Sequence, residues 1–506
     1  ATTADYNTAV GSGAMDTTST GTQNVAVGYK AMDANTTGNY NVAVGYNALD
    51  ANTTADNNTA VGHSALGANS TGDRLVAVGT GALAANSTAD ANTAVGYRAG
   101  NAVTTGESNV AIGFDALLLN TTGANNVAIG SVALDANDTA SANTAIGMSA
   151  MTDNTTGAEN VAIGKDALKS NTTASNNVAI GVECMDANTT GTQNTAVGKA
   201  ALGNSSTASY HTAIGAYTLD AVTTSVQCTA LGWGAGSAVT TGNNNVLIGY
   251  GAGDAITTGT PNVAVGTGAY GAGNGAENVS VGTSSHASAT TGNYNTALGS
   301  GAGYYVSTGT YNVSLGRAAN QETNTGSFNI SIGASARPSG AGGSSETIIG
   351  YNVTGQGGST FTFGSGSTFT SVGFGNTNWS GTSDARLKEF VQDETVGLSF
   401  VNELRPVTFQ WKKKKELPEE FDLYEADSDE RVMNGKYNHG FIAQEVKSVI
   451  DKYSDIKDGF DFWSKSSDGM ERVAPSALMS IMVKAVQELS AENKALSDRI
   501  TTLENK

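Results

Sequence analysis

At 506 residues the chain has the length of several ordinary domains, yet it carries 64 glycines, 5 prolines and only 7% aromatic residues, a bias that excludes a row of conventional globular cores and points to repetition. The formal charge is −19; residues 1–382 hold 8 basic and 21 acidic side chains, net −13, and residues 383–506 hold 18 and 24, net −6. An acidic balance on both parts argues against binding a phosphate backbone, which needs clustered Lys and Arg, and the only basic cluster is Lys412 to Lys415, so no nucleic-acid partner is expected.

The first 335 residues repeat. Asn24-Val25-Ala26-Val27-Gly28 recurs at Asn41 to Gly45, Asn58 to Gly62, Asn92 to Gly96 and onward. The glycine falls at every seventeenth residue from 11 to 266 and again at 282, 299, 316 and 333, twenty copies in all. A fixed short period means stacked coils, each too thin to be stable alone. Two short strands per coil are expected, the second carrying Ala31 and Met32, or Ala48 and Leu49. Alternation in the first strand sets Val25 and Val27 on one face and Asn24, Ala26 and Gly28 on the other. The β-branched face is expected inside, and the small face, with its Asn ladder, outside and open to side-by-side association with another chain. Leu75, His211 and Cys228 interrupt that ladder, which a structural row tolerates better than a ligand site.

Ligand chemistry finds little support in the array. Calcium would call for recurring Gly-Gly-x-Gly-x-Asp, which is missing. Ice binding needs a flat Thr lattice, and the Thr pairs sit in turns. Sugar cleavage needs two opposed carboxylates, whereas Asp33 and Asp50 repeat as a row of solvated turn residues. After the glycine stand Tyr29, Tyr46, His63, Tyr97, Phe114, Trp233 and Tyr250, either outward and able to stack on saccharides or half-buried within the coil. Cys184 replaces an Ala and Cys228 an Asn, so no disulfide and no zinc site is expected, and neither is any cofactor or other metal. No stretch approaches 18 apolar residues, so no membrane insertion is expected. Ala1-Thr2-Thr3-Ala4-Asp5 is not a signal peptide, and the missing Met leads us to expect a portion upstream.

The strand motif Asn-x-Ala-Val/Ile-Gly with a following Ala resembles the head of trimeric autotransporter adhesins. That resemblance implies a left-handed parallel β-roll of three chains, here with a longer unit whose extra residues enlarge the Asn-Thr-Thr turn. At about 4.8 Å per coil the rod would be roughly 95 Å long.

Residues 336–382 turn Gly- and Ser-rich. Phe361-Thr362-Phe363 alternates as a short strand, and Phe369, Phe374 and Trp379 make this transition a candidate receptor-binding tip.

In Ser383-Asp384-Ala385-Arg386-Leu387-Lys388 a hydroxyl nucleophile lies five residues from an amine that could activate it once desolvated. On a regular helix those side chains stand roughly 140° apart, so pairing needs a turn at Ser383 or a neighbouring subunit. The other reading is that Ser383 or Asp384 caps a helix through Leu387 and Phe390. Together with His439-Gly440-Phe441-Ile442-Ala443-Gln444-Glu445-Val446, the stretch resembles the C-terminal intramolecular chaperone domain of endosialidases and phage tail fibres. The resemblance implies autoproteolysis of the Thr382–Ser383 bond, with Ser383 and Lys388 catalytic. His439 is either a helper to that pair or a structural residue; the roles of Gln444 and Glu445 stay open.

Residues 383–474 read as a mixed α and β domain, with strands at Val407, Phe409 and Trp411 and at Phe441-Ile442-Ala443, then a helix over Gln444 to Ile450. Lys412 to Lys415, followed by Glu416, Glu419 and Glu420, reads as solvated or locally paired. Residues 475–506 form a helix from Pro475-Ser476. Met479, Val486, Asn493 and Ile500, with Met482, Leu489, Leu496 and Leu503, make a coiled-coil seam in which Asn493 fixes register. The seam alone does not choose two strands or three; both resemblances imply trimers.

The expectation is therefore a mainly β chain: a trimeric parallel β-roll over 1–335, a tip over 336–382, an α+β auto-processing chaperone domain over 383–474, and a trimeric coiled coil over 475–506. The function expected is a bacteriophage tail fibre or spike in the virion. It would be assembled in the host cytoplasm, contact other tail proteins, and bind a saccharide or protein receptor on the host surface. The alternative is a bacterial trimeric surface adhesin with a self-releasing chaperone domain, against which a coiled coil at Lys506 stands where a membrane β-barrel segment is required. A membrane-released transcription factor would need a DNA-binding module and a spanning helix, and neither is visible.

Overall fold

The computed structural model describes residues 4–374, 380–381, 388–419, 421, 423–433, 435–457, 460–465 and 470–505. They form two compact units that divide between Thr382 and Ser383.

The first unit is a parallel β-solenoid of about 21 turns. One strand of three or four residues per turn runs from β1 (Thr8–Val10) to β20 (Ile330–Ile332), and each pairs with the next one coil on, Val25 with Val42 and Val42 with Thr59. The expected second strand does not form. That side of the coil is a chain of turns stitched to its neighbour by bonds such as Met32 N–H to Ala48 O, 2.9 Å, and Thr36 N–H to Thr53 O, 2.9 Å.

The two strand faces lie opposite to expectation. Asn24 and Ala26 are completely buried, whereas Val25 and Val27 are half-exposed. Volume is the reason. A 17-residue turn already receives Ala31 and Met32, or Ala48 and Leu49, from its other side, and little room remains for a β-branched row. The Asn amides can lie inside because they are bonded as backbone is. Asn24 Oδ1 accepts the Asn41 N–H at 2.9 Å, and its Nδ2 donates to Gly38 O at 2.8 Å. A second interior row repeats the device, Asn52 Nδ2 donating to Asn35 Oδ1 at 2.9 Å. Buried amides satisfied in this way hold the coils in register. His211 takes the same part: Nε2 lies 2.9 Å from Ser225 O, and Nδ1 accepts the Cys228 N–H at 3.2 Å. Cys184 and Cys228 are free and buried, and burial pushes the Cys184 thiol up to about 12.

The invariant glycine has a steric cause. Gly28 has φ 139°, and a Cβ there would sit 2.3 Å from Gly45 O in the next coil. Only glycine combines that backbone with that approach.

The register continues past the twentieth repeat into β21 (Thr347–Tyr351), which pairs in parallel with β22 (Thr360–Ser365). β22 then forms an antiparallel hairpin with β23 (Thr368–Gly373), and Ser380–Gly381 adds a last antiparallel strand.

The second unit is small and mixed. Helix α1 (Leu398–Glu403), helix α2 (Ala443–Ile450) and the first turns of α3 (Met479–Glu504) enclose Phe400, Val446, Val449, Ile450, Phe462, Leu478 and Ile481. Val407–Phe409 pairs antiparallel with Asn438–Gly440, so the second strand falls just before the expected Phe441-Ile442-Ala443. Pro475–Leu478 is a short 3-10 turn that leads into α3.

Acid should weaken the solenoid through one interior histidine. Burial pushes His286 down to about 4, against about 6.5 in an unfolded chain. A depressed folded value means the stabilising neutral form is complete above about pH 6.5 and lost as pH falls toward 4, by about 3 kcal/mol at the limit. Burial raises the carboxyls of Asp50, Asp135, Asp186, Asp220 and Asp254. Those groups act in the opposite sense, since a raised carboxyl holds its proton more tightly in the folded state. His286→Leu, which installs the side chain other coils carry there, should therefore flatten the fall in melting temperature between pH 7 and 4.5; an unchanged slope would assign the acid effect elsewhere.

Candidate processing site and assembly surfaces

The junction is built by the hairpin at the end of the solenoid. Ser380 and Gly381 pair with Ser371 and Thr370 at the edge of β23, so the Thr382–Ser383 bond directly follows a paired strand. Thr382, Ser383 and Asp384 to Leu387 lie outside the described residues, and the Ser383–Lys388 pair has no geometry here. Lys388 is exposed on the segment that leads to α1.

His439 lies opposite Thr408 across the Val407–Phe409 and Asn438–Gly440 pair, exposed, with Nδ1 3.3 Å from Thr408 Oγ1. Glu445, in the first turn of α2, makes a two-pronged ion pair with Arg405, Nε to Oε2 at 2.9 Å, and the guanidinium holds its carboxyl below the usual range. That pair ties α2 to the segment after α1. A second tie joins Glu403 to Lys452, 2.6 Å, and to Tyr453 Oη, 3.0 Å. Both rest on partners 40 or more residues apart in sequence, for which the sequence offered no signal.

Three lysines of the run are paired, with carboxylates further along the chain. Lys413 and Lys415 reach Asp429 at 2.6 and 2.7 Å, and Lys414 reaches Glu425 at 2.7 Å. Two ammonium groups push the Asp429 carboxyl down to about 2.

Residues 383–454 match the family model for the chaperone of endosialidase. The match begins at the residue where the second compact unit begins. The family is one of autoproteolytic intramolecular chaperones. Comparison with curated proteins and with solved structures gave no match.

Each unit presents one extended exposed apolar surface. Along α3 the expected seam is exposed: Met479, Val486 and Ile500 at 68, 60 and 54%, and Leu489, Leu496 and Leu503 at 47, 56 and 64%. A neighbouring stripe is buried, Ile481 in the unit's own core and Ala485 one turn on, so the first turns of α3 serve both. Along the solenoid, the outward positions of successive strands form two rows of half-exposed Val, Ile, Leu and Thr over twenty coils. An apolar surface of that extent marks an interaction face.

The post-glycine aromatics point outward, and they stack coil on coil. Tyr29 lies 5.1 Å from Tyr46, Tyr46 5.1 Å from His63, and Trp233 4.9 Å from Tyr250. Their ring faces are occupied by one another, which leaves edges and end rings for any ligand. At the hairpin, Phe369 is partly buried against Ala336, Ile348 and Val353 and leaves the candidate receptor patch. Phe363 and Phe374 are half-exposed; Trp379 lies outside the described residues. Among the described residues no group of His, Cys, Asp and Glu could hold a metal, and no helix is long and apolar enough to cross a membrane.

Proposed function

We propose that the chain is the shaft and tip of a bacteriophage tail fibre or spike that assembles as a homotrimer and then cuts itself between Thr382 and Ser383. The match to the chaperone of endosialidase carries this reading, because it begins at Ser383, where the solenoid has ended and a separate unit begins.

In the chemistry proposed, Ser383 Oγ attacks the Thr382 carbonyl carbon while the Lys388 amine takes its proton. Collapse of the tetrahedral species breaks the C–N bond, and the Ser383 nitrogen takes the proton back from the Lys388 ammonium and leaves as a free amine. The acyl group is left as an ester on Oγ, and water hydrolyses it to the Thr382 carboxylate. Lys388 needs desolvation to act as a base near neutrality, and in the single chain it is exposed. A neighbouring subunit would supply that burial, which couples cutting to assembly, and His439 is the candidate helper.

Identical coils make register slips inexpensive, and an aligning domain answers that problem. The α3 seams gather three chains, and the outward Val and Ile rows then meet. Once the chaperone is released, the assembled roll has lost its nucleating part and is kinetically trapped. In this reading the fibre is assembled in the host cytoplasm, joins other tail proteins in the virion, and meets its host receptor through the hairpin tip.

The test is native mass. The full chain is expected to form three-chain particles, and Val161→Lys with Val178→Lys, two outward residues on neighbouring strands, should weaken them at least tenfold while the circular dichroism of the solenoid is kept. A monomeric parent would overturn the trimer; an unaffected variant would take the outward rows out of the interface.

A further inference from the structure

The solenoid interior changes character near its end. In most coils the inward strand position is Ala and the facing position Leu or Met, as at Ala43 with Leu49 and Ala145 with Met151. Where glycine replaces the large residue, an aliphatic side chain fills the gap. A Cβ on Gly236 would meet Leu247 Cδ1 at 2.6 Å and Val239 Cγ2 at 3.4 Å, and one on Gly253 would meet Leu247 Cδ2 at 2.7 Å and Ile256 Cδ1 at 2.9 Å.

The coils from residue 280 to 331 break that rule. The inward strand residue becomes Ser at 280, 314 and 331, with Ala297 kept between them, and the facing residues become His286, Gly303 and Asn320. At Gly303 the filler is polar: its Cβ would lie 2.6 Å from His286 Nε2 and 3.5 Å from Ser314 Oγ. His286 Nδ1 is bonded to Ser280 Oγ at 2.8 Å. A neutral imidazole carries one donor and one acceptor, so whichever role Nδ1 takes, Nε2 needs a partner of the other kind. It has none. Neither has Ser314 Oγ, Asn320 Nδ2 or Oδ1, Thr323 Oγ1 or Ser331 Oγ. Among the described residues, six of the twelve buried polar side-chain atoms without a partner fall in this one stretch. All five side chains are at most 1% exposed.

Buried groups of this kind are satisfied almost without exception, by protein or by ordered water. We propose that residues 280–331 enclose a binding site for water: a short file of ordered molecules that runs from His286 Nε2 past Ser314 to Asn320, Thr323 and Ser331. Water is the ligand that fits, since it can donate to or accept from each group in turn, and the imidazole leaves the sense open. At about three hydrogen bonds per buried molecule, six atoms account for about two waters per chain. Elsewhere in the roll such atoms occur singly, as at Asn188 and Ser205, and not as a cluster.

The experiment uses the full chain. A crystal structure at a resolution that orders solvent should show peaks within hydrogen-bond distance of His286 Nε2, Ser314 Oγ and Asn320. Oxygen-17 relaxation dispersion in solution should count about two fewer long-lived waters in Ser314→Ala, Asn320→Leu, Ser331→Ala, which restores the residues of other coils. A dry interior in the map, with the six atoms bonded directly to protein, would overturn the site, and so would an unchanged count in a folded variant. A peak heavier than water, with ligand distances too short for hydrogen bonds, would make the occupant an ion and overturn the assignment.

Discussion

Ser383→Ala should leave the chain whole. With no hydroxyl beside the Thr382 carbonyl, nothing should attack it, and the intact mass under denaturing conditions should remain that of all 506 residues, whereas the parent is expected to lose residues 383–506. Lys388→Ala should slow the cut by at least about a hundredfold, the range in which a positioned base contributes. Lys388→Arg should be no better, because a guanidinium does not give up its proton in a protein. All three variants should still assemble, since the α3 seam and the outward rows are untouched. Cleavage of the alanine variant at the same bond would remove Ser383 from the chemistry. A variant that neither cuts nor assembles would make Ser383 a folding residue, and Ser383→Thr, which keeps a hydroxyl, separates the two roles.

Gly147→Ala, in the middle of the glycine row, should damage the solenoid severely for a single added methyl. Gly147 has φ 138°, and the added carbon would lie 2.4 Å from Gly164 O and 2.6 Å from its carbonyl carbon. Backbone strain of that kind costs about 1–3 kcal/mol, and overpacking against main chain that cannot move away adds to it. The loss should be about 3 kcal/mol or more, read as a lower melting temperature. Because coils are stabilised by their neighbours, amide-exchange protection should fall first around residues 144–164. Gly157→Ala is the control. A Cβ there would also come close to main chain, 2.2 Å from Ala174 O, but its φ lies outside the left-handed region and adjoining coils already seat Ala140 and Ala174 at the equivalent turn position, so its cost should be far smaller. Equal melting of the two variants would sink the steric account of the glycine row.

The repeat could be read in the sequence because the coils meet the same two demands: a glycine where the next backbone approaches and, in all but a few, an Asn whose amide bridges two coils. Which face lay inside could not be read from alternation, since a period of two separates faces without saying which is buried. Volume decided it, through Met32 and Leu49 arriving from the other side of the turn in left-handed conformations, φ 57° and 54°. A clue was present: Val25, Thr59 and Thr93 share one strand position, and that tolerance of a hydroxyl fits a half-exposed site better than a packed interior. The heptads of α3 and the helix from Ala443 were legible for the usual reason, apolar residues at helical spacing. The partners of Lys413, Lys414 and Lys415 were not, because Asp429 and Glu425 come from a loop that only the fold brings near. His439 could be picked from its motif, whereas its neighbour Thr408 depends on strand pairing.

Assembly is expected to come first and cutting to follow. The direct measurement is native and denaturing mass spectrometry on the same samples during refolding of the full chain, at several protein concentrations. The account requires trimers of intact chains to appear before any fragment, with the 1–382 product accumulating only as those trimers form and more slowly on dilution. Fragment formed at the same rate in dilute monomer would contradict it, because Lys388 would then be activated within a single chain.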